Sequence, residues 1–152
     1  MKTYIHYGSY KFDINKFNPV INSEWTNKPY GGLWASPVEC KNISWYDWCI
    51  NNDFHTEKLD KSFTFTLKDD SKIFTLSSVY DVVKLYKIAG IIPESYRRKY
   101  MLATDPFNCV ELMLRGYQAI EFECNNYQMY DAMYGWDVDS ILILDPSIII
   151  CE

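Results

Sequence analysis

Residues 62–76 restrict the fold of this chain more than any other stretch. Ser62-Phe63-Thr64-Phe65-Thr66-Leu67 alternates with a period of two and sets Phe63, Phe65 and Leu67 on one side. The polar turn Lys68-Asp69-Asp70-Ser71-Lys72 follows, and Ile73-Phe74-Thr75-Leu76 resumes the β-prone pattern. Strand, turn and strand in immediate succession predict a β-hairpin and rule out a purely helical bundle.

The flanking segments predict a mixture of both element types. Thr3–Tyr7 is β-prone and stops at Gly8-Ser9, and Leu33–Ser36 is a brief apolar strand between Gly31-Gly32 and Pro37. Ser44 caps a helix in which Trp45, Trp48 and Cys49 share a face. Ser77 or Ser78 caps a second helix bearing Val79, Val82, Val83 and Tyr86, ending near Gly90. A third covers 107–114, Tyr117–Phe122 and Ser140–Leu144 read as strands, and Ile148-Ile149-Ile150 reads as an edge strand. Three long loops remain, over 10–31, 94–106 and 124–138; loops beyond about 12–15 residues are commonly functional or mobile. Helices and strands that alternate irregularly around a hairpin predict an α+β fold, with residues 1–152 forming one domain.

Composition narrows the function. The chain is 48% hydrophobic and 23% charged, which excludes wholesale disorder. It is also 17% aromatic, with 13 Tyr, more than a core of this size can hide, so some rings are expected to line a site. A net charge of −5 gives no basic footprint for nonspecific nucleic-acid binding, so nucleic acid is not a favoured partner. Lys2–Tyr7 contains no apolar leader core and no run is long enough to span a membrane, which predicts a cytoplasmic location and no membrane partner. Five cysteines without CxxC spacing and only 2 His predict reduced thiols and no metal site.

The general catalytic templates are absent: no GxGxxG, Walker A loop, HExxH or GxSxG occurs. Three short pieces carry the chemistry instead. His6-Tyr7-Gly8-Ser9 ends a strand with hydrogen-bonding residues and a glycine that lets a ligand approach the backbone. Gly32-Leu33-Trp34-Ala35-Ser36 does the same with an aromatic ring. Gly116-Tyr117-Gln118-Ala119-Ile120, an acidic loop and Ser140–Pro146 place carboxylates just before an apolar strand.

In that order, these pieces resemble the ADP-ribosyltransferase superfamily of the His-Tyr-Glu type, the fold of diphtheria-like toxins and poly(ADP-ribose) polymerases. Its members open with a strand ending in His-Gly-Thr/Ser. They continue through Gly-Ile-Tyr-Phe-Ala/Ser and finish with Gly-Tyr-Asp-x-Ile and a Glu-started strand running into Asp-Pro. The resemblance implies a split antiparallel β-sandwich with flanking helices and a mono-ADP-ribosyltransferase that uses NAD as co-substrate to modify an intracellular protein. Small versions of this kind act as toxins or phage effectors. The alternative it leaves is a catalytically inactive NAD- or nucleotide-binding module, or a protein-binding inhibitor, on the same fold.

The resemblance also assigns roles. Gly8 and Ser9, with His6 or Tyr7, would hold the nicotinamide end of NAD. Trp34 and Ser36, with Trp45 or Tyr46 from the next helix, would enclose its ring. The family places His directly before Gly, whereas here Tyr7 intervenes. Either His6 serves through a one-residue shift or Tyr7 takes its place, because neighbouring strand side chains point to opposite faces. The family Tyr is Trp34 in this chain. No Glu precedes the last strand, so the catalytic carboxylate is expected at Asp139, with Asp137 second. The chemistry requires one: cleaving the nicotinamide–ribose bond passes through an oxocarbenium-like state that a carboxylate stabilises.

Overall fold

A computed structural model describes residues 1–24, 26–92 and 106–151. Seven strands form one curled sheet: β1 (Tyr4–Tyr7), β2 (Leu33–Pro37), β3 (Ser62–Leu67), β4 (Ile73–Leu76), β5 (Ala119–Phe122), β6 (Ser140–Ile143) and β7 (Ile149–Ile150). They lie in the order β4-β5-β6-β2-β1-β3-β7. Among the described residues the helices are α1 (Trp45–Asn52), α2 (Val79–Ala89), α3 (Cys109–Leu114) and α4 (Tyr127–Ala132). The class is α+β, as the sequence predicts. No described helix is long and apolar enough to cross a membrane.

The hairpin at 62–76 does not form. β3 pairs antiparallel with β1 and β7, while β4 pairs with β5, and that pair is parallel rather than antiparallel. Period two establishes that both segments are strands and 68–72 turns the chain, but neither specifies a partner. β3 instead finds aromatic neighbours on β1: the Tyr4 and Phe65 rings stack at 5.7 Å and those of His6 and Phe63 lie at 5.2 Å. In a flat sheet β3 and β4, five places apart, would stand about 24 Å from each other. The link from Leu67 to Ile73 reaches about 20 Å at full stretch. The sheet must therefore curl, bringing its two halves face to face.

Curling separates two cores. Tyr4, Phe65, Leu67, Ala119, Ile141, Ile143 and Ile148 fill the inside of the curl. Leu76, Leu85, Leu112, Ile120, Phe122, Met129, Trp136 and Leu142 join the outer face of β4–β6 to the helices. Side-chain caps define those helices. Ser44 accepts from the Asp47 N–H at the start of α1, Asn108 from Glu111 N–H at α3, and α2 carries a reciprocal Ser78–Asp81 capping box. On α2 the buried residues are Val82, Leu85 and Ala89, while Val79 and Val83 are exposed, so the predicted apolar face is rotated. The segment 124–138 is not all loop: Asn126 caps α4, whose Met129 is fully buried. The predicted loop 94–106 lies outside the described residues except for Pro106.

Candidate active-site cleft

Strand register decides which side chains reach a common face. Ile5 stands opposite Ser36, and Trp34 opposite Leu142. With a period of two, Tyr7, Trp34, Ser36 and Ser140 then share one face of the sheet, away from the inner core. On that face, between α1 and the segment leading into β6, lies a cleft of about 280 Å³ whose lining includes Tyr7, Trp34, Ser36, Trp45 and Asp137. Six of the ten residues predicted for the site line it, His6 at its border being the sixth.

Its walls are aromatic. Trp34 is half-buried and meets the edge of the fully buried Trp136 at 4.7 Å. Trp45 opens α1 and stacks on Trp48 at 5.2 Å and 10°, with Phe54 edge-on to both. Ser36 fixes this wall, since its buried hydroxyl accepts the Trp45 N–H at 3.1 Å. Beyond α1 the chain takes left-handed backbone at Asp53 and again at His55, both with φ of 49°. Asp and His are among the few non-glycine residues that adopt that geometry readily, and here it returns the chain so that His55 and Lys58 line the same cleft.

Lys28, from the long loop before β2, reaches into this aromatic space. Its ammonium lies 4.9 Å from the Trp34 ring centre and 6.0 Å from that of Trp45. Burial pushes its pKa down, and the negative charge of Asp137 pulls it partly back. Beside it Asn27 is buried, and neither polar atom of its carboxamide has a hydrogen-bond partner among the described residues. Asp137 follows Gly135, whose φ of +94° turns the chain before β6 begins.

The remaining predicted residues fall elsewhere. Asp139, the first choice for the carboxylate, does not line the cleft. It shares the face of Ile141 and Ile143, which points to the inner core, and is 2% exposed. Its oxygens accept the Asn42 N–H at 3.0 Å, the Asn42 Nδ2 at 2.9 and 3.2 Å, and the Cys124 N–H at 2.8 Å. It clamps two loops together. Asp137, two residues farther from β6 and just after the turn at Gly135, reaches the cleft instead.

Alternation also separates His6 from Tyr7. His6 follows Tyr4 to the inner side, where its Nδ1–H donates to the Trp34 carbonyl at 2.7 Å and burial lowers its pKa against the opposing pull of that bond. Tyr7 faces α1, with its ring 5.8 Å from Tyr46. Tyr46 backs Tyr7 without lining the cleft. Gly8, at φ +113°, has already donated its N–H to the Lys61 carbonyl at 2.7 Å, so that group is not free to grip a carboxamide. Ser9 lines a separate surface hollow of about 480 Å³, which His6 also borders.

Lys28, His55, Lys58 and Trp136 were not singled out as cleft residues by their local sequence. The length of the loop over 10–31 was the one pointer to Lys28. No family model matches this chain, and neither a curated protein nor a solved structure does.

Proposed function

We propose that this cleft binds NAD and that the protein is a mono-ADP-ribosyltransferase acting on an intracellular protein. The observation that carries this reading is the convergence of Tyr7, Trp34 and Trp45 on one cleft that also holds the Asp137 carboxylate. Two indole faces suit a positively charged pyridinium ring. A carboxylate beside them suits the ribose, where it would accept a hydroxyl hydrogen bond and stabilise the cation that develops as the ring departs. The balanced reaction takes NAD and an acceptor–H to nicotinamide, the ADP-ribosylated acceptor and a proton. In this assignment Asp137 replaces Asp139, whose oxygens are committed to Asn42 and Cys124. Tyr7 and Trp34 fill the places the resemblance gives to His and Tyr.

A second reading is supported by that same commitment of Asp139 and by the spent Gly8 N–H: a nucleotide-binding module without turnover. NAD labelled in the nicotinamide ring separates the two. Release of labelled nicotinamide that disappears in Asp137→Asn supports the transferase, and saturable binding without release supports the module.

A further inference from the structure

The charges lining the cleft run against those of the chain. The protein carries a net charge of −5, yet Lys28 and Lys58 line this cleft, with Asp137 the one carboxylate among its described lining residues. Lys28 already occupies the space between the indoles of Trp34 and Trp45. A cage of that kind favours one cation, and a second at the same depth would be repelled. A ligand that places a ring between the indoles must therefore move the Lys28 ammonium and supply it with an anion.

We infer that Lys28, with Lys58, forms a phosphate-binding lip on the aromatic cleft, so that its ligands are nucleoside diphosphates and their derivatives rather than uncharged nucleosides or free rings. The inference rests on the cleft's being the ligand site of the proposed transferase, but not on turnover. Lys28 acts here as a specificity residue: leaving the indoles, it pairs with phosphate oxygens through charge-assisted hydrogen bonds. Lys58 adds charge from the segment after α1, where the His55 Nδ1 lies 3.3 Å from the Glu57 carboxylate.

Calorimetric titration of the whole chain with ADP, adenosine and nicotinamide tests this. ADP is expected to bind at least about tenfold more tightly than adenosine, with an affinity that falls as salt rises. Lys28→Met should lose that advantage, with adenosine bound no more weakly than by the wild type because no ammonium has to leave the indoles, and Lys28→Arg should retain part of it. Lys58→Ala, at an exposed position, should weaken ADP and its salt dependence by a smaller factor, and it decides the matter if Lys28→Met fails to fold. Equal affinity for ADP and adenosine, undiminished ADP binding by Lys28→Met, or no ADP binding would each overturn the lip, even if NAD is cleaved. Lys28-dependent ADP binding without nicotinamide release would uphold the lip and remove the transferase.

Discussion

Replacing Asp139 by Asn tests whether the carboxylate nearest β6 serves structure or chemistry. Each oxygen of Asp139 accepts one backbone N–H, from Asn42 at 3.0 Å and from Cys124 at 2.8 Å, and both contact the Asn42 side-chain nitrogen. An amide retains one acceptor oxygen and turns its NH2 toward a donor. About two charge-assisted hydrogen bonds, each worth about 1.5–3 kcal/mol, are then weakened or lost, and one N–H is left facing another donor. Remaining bonds and local relaxation recover part of this, leaving a net loss of about 2–4 kcal/mol. For a chain of this length a loss of about 3 kcal/mol corresponds to roughly 6–12 °C in Tm. Urea denaturation of wild type and variant measures it directly, and nicotinamide release is to be expressed per folded molecule. The clamp predicts a large drop in stability with undiminished turnover per folded molecule. An unchanged urea midpoint would refute the argument, and so would full stability with turnover abolished.

Asp137→Asn should behave in the opposite way, keeping its stability within about 0.5 kcal/mol while NAD cleavage falls by about 10²-fold or more; nicotinamide release beside a thermal melt checks both. Trp34→Ala should weaken NAD binding by about 1–3 kcal/mol and also lower Tm, because the ring supports Trp136 as well as facing the cleft. Trp34→Phe should recover most of the stability, which separates the two losses in a paired titration and melt. Burial lowers the His6 pKa in the folded chain, so between that lowered value and about 6.5 the unfolded chain binds more protons and stability falls as pH drops. The stability difference between wild type and His6→Asn should therefore be flat above about pH 7 and shift against wild type below about 6.5 in urea titrations across that range. Ser78→Ala, which breaks the capping box of α2, should cost about 0.5–2 kcal/mol by the same measurement.

Local signals were legible in this sequence and distant partners were not. Ser44, Ser78 and Asn108 mark helix starts because a cap is a contact with the next turn. β1, β2 and β6 could be read because short apolar runs between glycines and prolines have few alternatives. The pairing of β3 and β4 was hidden, because a five-residue turn permits a hairpin without requiring one, and the Tyr4–Phe65 stack spans residues far apart in the chain. α4 was obscured by its Tyr and Asp content, although Asn126 and the Met129–Met133 spacing carried the signal. Within the site, Trp34, Tyr7 and Trp45 reach the cleft by strand parity and one helix cap. The choice between Asp137 and Asp139 turned on which face of β6 points to the cleft, and that depends on the direction of curl. Lys28 bore no periodic signal at all, since a loop residue is positioned by what it packs against.

The central pairing of the sheet has a consequence for synthesis on the ribosome. β2 is flanked by β1 on one side and by β6 on the other. β6 begins at Ser140, about a hundred residues after β2 ends at Pro37. At about 5–20 residues per second, roughly 5–20 s separate the emergence of the two strands. During that interval a nascent β2-β1-β3 sheet carries the Trp34 edge unpaired, the kind of open strand on which neighbouring chains template aggregation. A polysome, with several copies at this stage in close proximity, is where a chaperone would act on this protein, and the cleft closes only after that protection ends.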